Sequence, residues 1–148
     1  MRADALDEQI VRLMGKDARQ TTENIGAALK VSGATVRRRL KRLFEEDELR
    51  IVGVVKPADF GYTLAAVITM DVAQDKIEDV IEALSGKREV RWISPTLGRY
   101  DIIMGVRFRS MEALSEFMTQ YLAKLDGVKD SETFVCLNDK KAVYLTLG

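Results

Sequence analysis

Apolar residues recur at helical spacing three times over the first 44 positions. Leu6, Ile10, Leu13 and Met14 fall at i, i+4, i+7 and i+8, which predicts a helix over Ala5 to Lys16. Asp4 is placed to cap it, and Asp7 lies in the first turn, where the helix dipole favours an anion. A shorter helix is predicted from about Thr22, with that threonine as its cap and Ile25, Ala28 and Leu29 turned inward. Val31-Ser32-Gly33 breaks the pattern. Ser32 then caps a third helix that runs through Phe44 and buries Val36, Leu40, Leu43 and Phe44. Two short helices across a tight turn, behind a packing helix, are the layout of a helix-turn-helix. Leu49 to Val55 alternates loosely around Gly53 and predicts a two-stranded wing, which makes residues 1–55 a winged helix-turn-helix. Residues 56–62, with Pro57 and Gly61, read as a linker.

From Thr63 the period changes to two. Leu64, Ala66, Ile68, Met70 and Val72 alternate as a strand, and Asp75 to Leu84 carries Ile77, Val80, Ile81 and Leu84 at helical spacing. Glu89 to Thr96 is a second strand with Pro95 at its end, and Tyr100 to Phe108 a third. Ser110 caps a long helix with Leu114, Phe117, Met118, Tyr121, Leu122 and Leu125 on its apolar stripe, ended by Gly127. Thr133 to Leu137 is the fourth strand, and Val143 to Leu147 suggests a short terminal one. The order β-α-β-β-α-β predicts an α+β, ferredoxin-like domain over residues 63–148, an antiparallel sheet with both helices on one face. Its other face is left uncovered and apolar, so a second copy of the chain is the simplest cover.

Composition narrows the chemistry. No apolar run approaches the roughly 18–20 residues of a membrane span. The N-terminus, acidic and then amphipathic, is wrong for a signal peptide, so a cytoplasmic protein is expected. Cys136 is the single cysteine, which excludes an internal disulfide or a CxxC metal site; on the last strand it reads as a small core residue. Trp92 reads either as an interface anchor or as a core aromatic. Histidine is absent, which removes His-dependent triads and histidine-bearing zinc sites, so no enzyme activity, cofactor or metal is expected.

Charge is balanced at 23 basic and 23 acidic residues, so its distribution carries the information. No acid interrupts Lys30 to Arg42. With Val36, Leu40 and Leu43 inward, Ala34, Arg38 and Lys41 point outward, Thr35 and Arg42 lie on one shoulder and Arg37 on the other. Arg39 lies nearer the core, within reach of a phosphate or of an acid. Small residues leading, with cations behind, suit a helix entering the major groove, so Ser32, Ala34, Thr35, Arg37, Arg38, Arg39, Lys41 and Arg42 are the candidate DNA-binding residues. A solvated charged face is the plainer reading of such a run, and the helix-turn-helix layout decides against it. Residues 1–55 carry 11 basic and 9 acidic residues, a small excess, so a dimer reading a two-fold, pseudo-palindromic duplex site is expected.

The chain resembles the Lrp/AsnC (leucine-responsive/asparagine-operon) family of transcription regulators. The likeness is carried by Asp7-Glu8-Gln9-Ile10-Val11, Asp17-Ala18-Arg19 and the run from Ser32 to Leu43. Gly98-Arg99-Tyr100-Asp101 is similar to the family's Gly-x-Tyr-Asp turn, and Glu132-Thr133-Phe134-Val135 to its final strand. The resemblance implies a regulator modulated by an amino acid or related metabolite, assembled as homodimers and up to octamers. It makes Gly98, Tyr100, Asp101 and Thr133 candidate effector residues, with Asp101 accepting from an α-ammonium group and backbone amides near Gly98 holding a carboxylate. A plain β-turn, with Gly98 at positive φ and Asp101 bonded to local backbone, is the alternative for that motif. Leu97 stands where the family has threonine, and Lys30 and Asp47 where it has glycines. Two other readings compete: a sensing or assembly module without DNA binding, and an enzyme on the same architecture such as a tetrapyrrole decarboxylase relative. The intact basic helix argues against the first, and the missing histidines against the second.

Overall fold

The computed structural model describes residues 3–138 and 140. The chain forms two compact units that divide between Gly53 and Val54. No helix among the described residues is long and apolar enough to cross a membrane.

The first unit is built from α1 (Ala5–Lys16), α2 (Thr22–Leu29) and α3 (Gly33–Glu45). Asp4 caps α1 in a reciprocal capping box with Asp7, and Ser32 caps α3 by accepting from the Thr35 amide at 3.1 Å. Ile10, Met14, Ile25, Val36 and Leu40 form the core. Three details depart from expectation. Thr21 caps α2, while the neighbouring Thr22 hydroxyl turns to Glu23. Gly26 is buried in place of Ala28, because α2 and the turn into α3 close to the point where a Cβ at Gly26 would meet the Val31 carbonyl at 2.7 Å. Phe44 is exposed, one position beyond the stripe.

The expected two-stranded wing is absent from the described residues. Positions 49–54 are irregular, Val55 is a lone bridge residue, and Ile51, Val52 and Val54 are exposed. Seven residues interrupted by Gly53 are too few for two strands and a turn.

The second unit opens with a 3-10 turn at Pro57–Phe60 inside the expected linker. It continues as β1 (Leu64–Val72), α4 (Ile77–Ser85), β2 (Val90–Pro95), β3 (Ile102–Phe108), α5 (Met111–Glu116) and β4 (Val128–Cys136). After α5 the chain stays helical through a π segment, Phe117–Tyr121, and a 3-10 turn, Leu122–Lys124. The strands pair antiparallel in the order β2-β3-β1-β4, the ferredoxin-like arrangement. β4 begins five residues earlier than expected, since Asp130-Ser131-Glu132 pairs with β1 without showing apolar alternation and Lys129 sits at a bulge before Val128. The terminal strand expected over 143–147 lies outside the described residues.

Ala66, Ile68, Met70 and Val72 of β1 pack with Ile102, Met104, Val106 and Phe108 of β3 under Val80, Leu84, Leu114, Phe117 and Leu122 from the helices. Register places Ala65, Val67 and Thr69 of β1 on the opposite face, beside Ile103, Gly105, Phe134, Cys136 and Trp92. Trp92 and Phe134 are each 49% exposed there. Cys136 is exposed on this face and not in the core, because its partner Ala65 points away from the helices.

Candidate nucleic-acid interface and effector turn

The cations of α3 divide into two sets. Arg38 and Lys41 are exposed with Ala34 on the outer face, and among the described residues Arg38 has no carboxylate partner. Lys41 stands 3.8 Å from Glu45, one turn on. Arg37 is exposed but hydrogen-bonded to Glu23 at 2.7 Å on α2. The Ser32 and Thr35 hydroxyls bond each other at 2.8 Å at the N-terminal end of the helix.

Arg39 and Arg42 turn the other way. Asp7 is 1% exposed. It accepts from Arg39 Nη1 at 3.0 Å and from Arg42 Nη2 at 2.5 Å, and Arg39 also reaches Asp4 at 2.6 Å. Arg42, expected on a shoulder of the outer face, thus folds its long side chain back toward α1, with Glu46 and Glu48 at 3.4 and 3.5 Å. Burial pushes the Asp7 carboxyl up, but the Asp4 amide and the two guanidinium groups outweigh it and the net effect is downward. Asp4, bonded by Arg39, is lowered to about 2. The pair Asp7 and Arg42 is 35 residues apart in sequence, and no periodicity signals it.

In the second unit Gly98, Tyr100 and Asp101 share the turn between β2 and β3. Gly98 has φ 154, open to glycine. Asp101 knits this turn to the end of β1: one carboxylate oxygen accepts from the Val72 amide at 2.9 Å and the other from the Gln74 side chain at 3.2 Å. Its own amide donates to the Met70 carbonyl at 2.9 Å. Tyr100 donates its hydroxyl to Glu132, which pushes the phenol pKa up, with Arg99 over its ring. Thr133 is not part of this group. It pairs with Ile68 on the helix side of the sheet, and its hydroxyl faces Met118 Sδ at 3.8 Å. Glu132, its neighbour, occupies the position by the turn that had been expected of Thr133. The two-residue period of the strand carried that signal.

A three-helix head with a basic outer helix, joined to a ferredoxin-like domain, defines the chain as a two-domain regulator of the helix-turn-helix class. Residues 4–43 match the AsnC-type helix-turn-helix domain, and residues 65–144 match the Lrp/AsnC ligand binding domain. An uncharacterized HTH-type transcriptional regulator of Pyrococcus furiosus is 33% identical over 142 residues, covering 95% of this chain and 96% of that one. The chain belongs to the Lrp/AsnC family of transcriptional regulators. In fold it is similar to E. coli AsnC, with a TM-score of 0.84, 23% identity and 95% of each chain covered. It is equally similar to a transcriptional regulator of Neisseria meningitidis solved as a complex with L-Met, with a TM-score of 0.84, 24% identity, and 95% and 93% covered.

Proposed function

We propose that the protein is a sequence-specific DNA-binding regulator of the cytoplasm, not an enzyme, that reads a pseudo-palindromic site as a homodimer or a larger assembly of dimers. The observation that carries this reading is Arg38, exposed and without a carboxylate partner among the described residues, flanked on the same face by Ala34 and Lys41. Family membership supports it. Arg39 and Arg42 serve instead to fix α3 against α1, so the groove contacts fall to Arg38, Lys41, Arg37 and the small residues Ser32, Ala34 and Thr35. The open sheet face, with Trp92 and Phe134 half exposed, is the surface for self-association.

The effector is an amino acid or a related metabolite bound at the Gly98–Asp101 turn. The L-Met complex of the N. meningitidis relative supports the ligand class. The Asp101 oxygen held only by the Gln74 side chain is the one an α-ammonium group would take over. The test is binding to DNA upstream of the protein's own gene across a salt series. Wild type should protect a two-fold site and lose affinity steeply with salt, and Arg38→Ala/Lys41→Ala should bind about tenfold or more weakly. Full binding by that double variant would overturn the assignment of the face. A melting-temperature screen of the common amino acids tests the effector.

A further inference from the structure

Cations of the second unit gather at one end of the sheet. Lys56, Lys87, Arg88, Arg107 and Arg109 stand with Asp59, Glu89 and Glu112 at the end where β1 begins and β3 finishes, while Asp71, Asp101, Asp126 and Asp130 stand with Lys76, Arg99 and Lys129 at the other. Two of the acids at that far end are answered by cations, Asp71 by Lys129 at 3.8 Å and Asp126 by Lys76 at 3.0 Å. Two adjoining clefts of about 360 and 120 Å³ share Tyr62 and Arg107, and Lys56, Arg88 and Arg109 also line them. Glu89 is the one carboxylate in either lining among the described residues. Neither Arg88 nor Arg109 has a carboxylate partner among those residues. Arg109 lies over the Tyr62 ring, 5.2 Å from its centroid, and its carbonyl accepts from the Thr63 hydroxyl at 3.0 Å.

We propose that this basic end is a second duplex-contacting surface, holding phosphates of the DNA that flanks the site read by α3. The proposal rests on the DNA-binding reading of the first unit. The cations come from separate segments, Lys56 before β1, Arg88 before β2 and Arg109 after β3, and form a strip in place of a single cup. A strip suits the repeated charge of a polyanion better than one small anion. The chain enters this end of the sheet directly from the first unit. Arg50 to Lys56, the seven residues between the last backbone bond of the head at Leu49 and the turn at Pro57, span at most ~25 Å, so phosphates within about three-quarters of a helical turn of the recognised site fall inside the tether.

The test compares full-length wild type, Arg88→Glu/Arg109→Glu and Arg38→Ala/Lys41→Ala on the same duplex, by a salt series and hydroxyl-radical footprinting. Charge reversal should cost about tenfold in affinity, flatten the salt dependence and remove protection from the flanks while the central footprint persists. A duplex trimmed to the central site should bind that variant and wild type alike. Wild-type affinity, slope and flank protection in the charge-reversed variant would overturn the proposal, and so would flank protection abolished in wild type by millimolar inorganic phosphate at constant ionic strength. Loss of the central footprint belongs to Arg38→Ala/Lys41→Ala, so the two readings fail separately. Should the reversal disturb folding by circular dichroism, Arg88→Gln/Arg109→Gln carries the same comparison.

Discussion

Arg42 of α3 and Asp7 of α1 meet at 2.5 Å in the first unit, with Arg39 bonded to the other oxygen of the same carboxylate. Asp7 is 1% exposed, while the side chains of Arg42 and Arg39 keep 22% and 25% of their surface. Removing one partner of such a group leaves buried charge uncompensated, which costs about 3 kcal/mol. Asp7→Asn removes the buried charge and leaves the two partly exposed guanidinium groups with Asp4, Glu46 and Glu48, so it should lower the stability of the head by less, about 1–2 kcal/mol, in urea unfolding followed by far-UV circular dichroism. A double-mutant cycle with Arg42→Ala should show coupling of about 1 kcal/mol or more; additivity would mean that the contact does not hold the two helices together.

The same cluster sets an acid limit. Asp4 and Asp7 both titrate lower in the folded head than the ordinary 3.8. Their stabilisation is complete above that value and is lost as the pH falls through the folded values, toward about 2 for Asp4. Head stability should decline between about pH 4 and pH 2. Asp7→Asn should decline less across that window, starting from a lower value. A parallel pH profile for the two proteins would remove Asp7 as a source of the acid sensitivity.

On the open face of the sheet, Gly105 is bound to its cross-strand neighbour. A Cβ there would overlap the indole of Trp92. Gly105→Ala should displace the ring, and since Trp92 is the single tryptophan, its fluorescence reports the change directly. If this face joins two copies, sedimentation should show weaker self-association in the variant with the fold retained. Unchanged association would place the contact elsewhere.

Asp101 has a local task before any ligand arrives. Asp101→Ala removes the acceptor for the Val72 amide, a partly buried bond worth about 1–2 kcal/mol with its desolvation penalty. The melting temperature should fall, and any stabilisation by an amino acid should vanish. Asp101→Asn can still accept from Val72 but lacks the charge for an α-ammonium group, so it should keep more stability and still lose the ligand response. A full response in Asp101→Asn would leave Asp101 with the turn alone.

Helix bounds in the head were legible because caps and stripes agree: Asp4 and Ser32 precede apolar residues at helical spacing. Of two adjacent threonines, Thr22 is the expected cap and Thr21 takes it, since nothing in the periodicity separates neighbouring caps. β4 was hidden at its start by polar residues on an edge strand, where burial imposes no alternation. On α3 the helical angles placed backbones correctly but not the ends of long side chains. Arg42 reaches Asp7 by folding its stem, a choice made by a residue on another helix. Thr133 and Glu132 show the converse, since period two already assigned them to opposite faces.

Lys30 separates the stability of the head from its proposed use. It ends α2 in the left-handed region, φ 58 and ψ 38, and its amide bonds the carbonyls of Ala27 and Gly26. A side chain there is strained where glycine is not, by about 1 kcal/mol. The side chain is exposed and has no carboxylate partner among the described residues, so nothing in the folded head repays that strain. Lys30→Gly should raise the melting temperature of the head by a few degrees, about 2–5 °C. A lysine kept at such a position fits a contact with a phosphate, just before the helix that carries Arg38. The same variant should then bind DNA several-fold more weakly, with the salt slope reduced by about one per site contacted. A gain in stability with unchanged affinity would make Lys30 a bystander, and a loss of stability would contradict the strain argument itself.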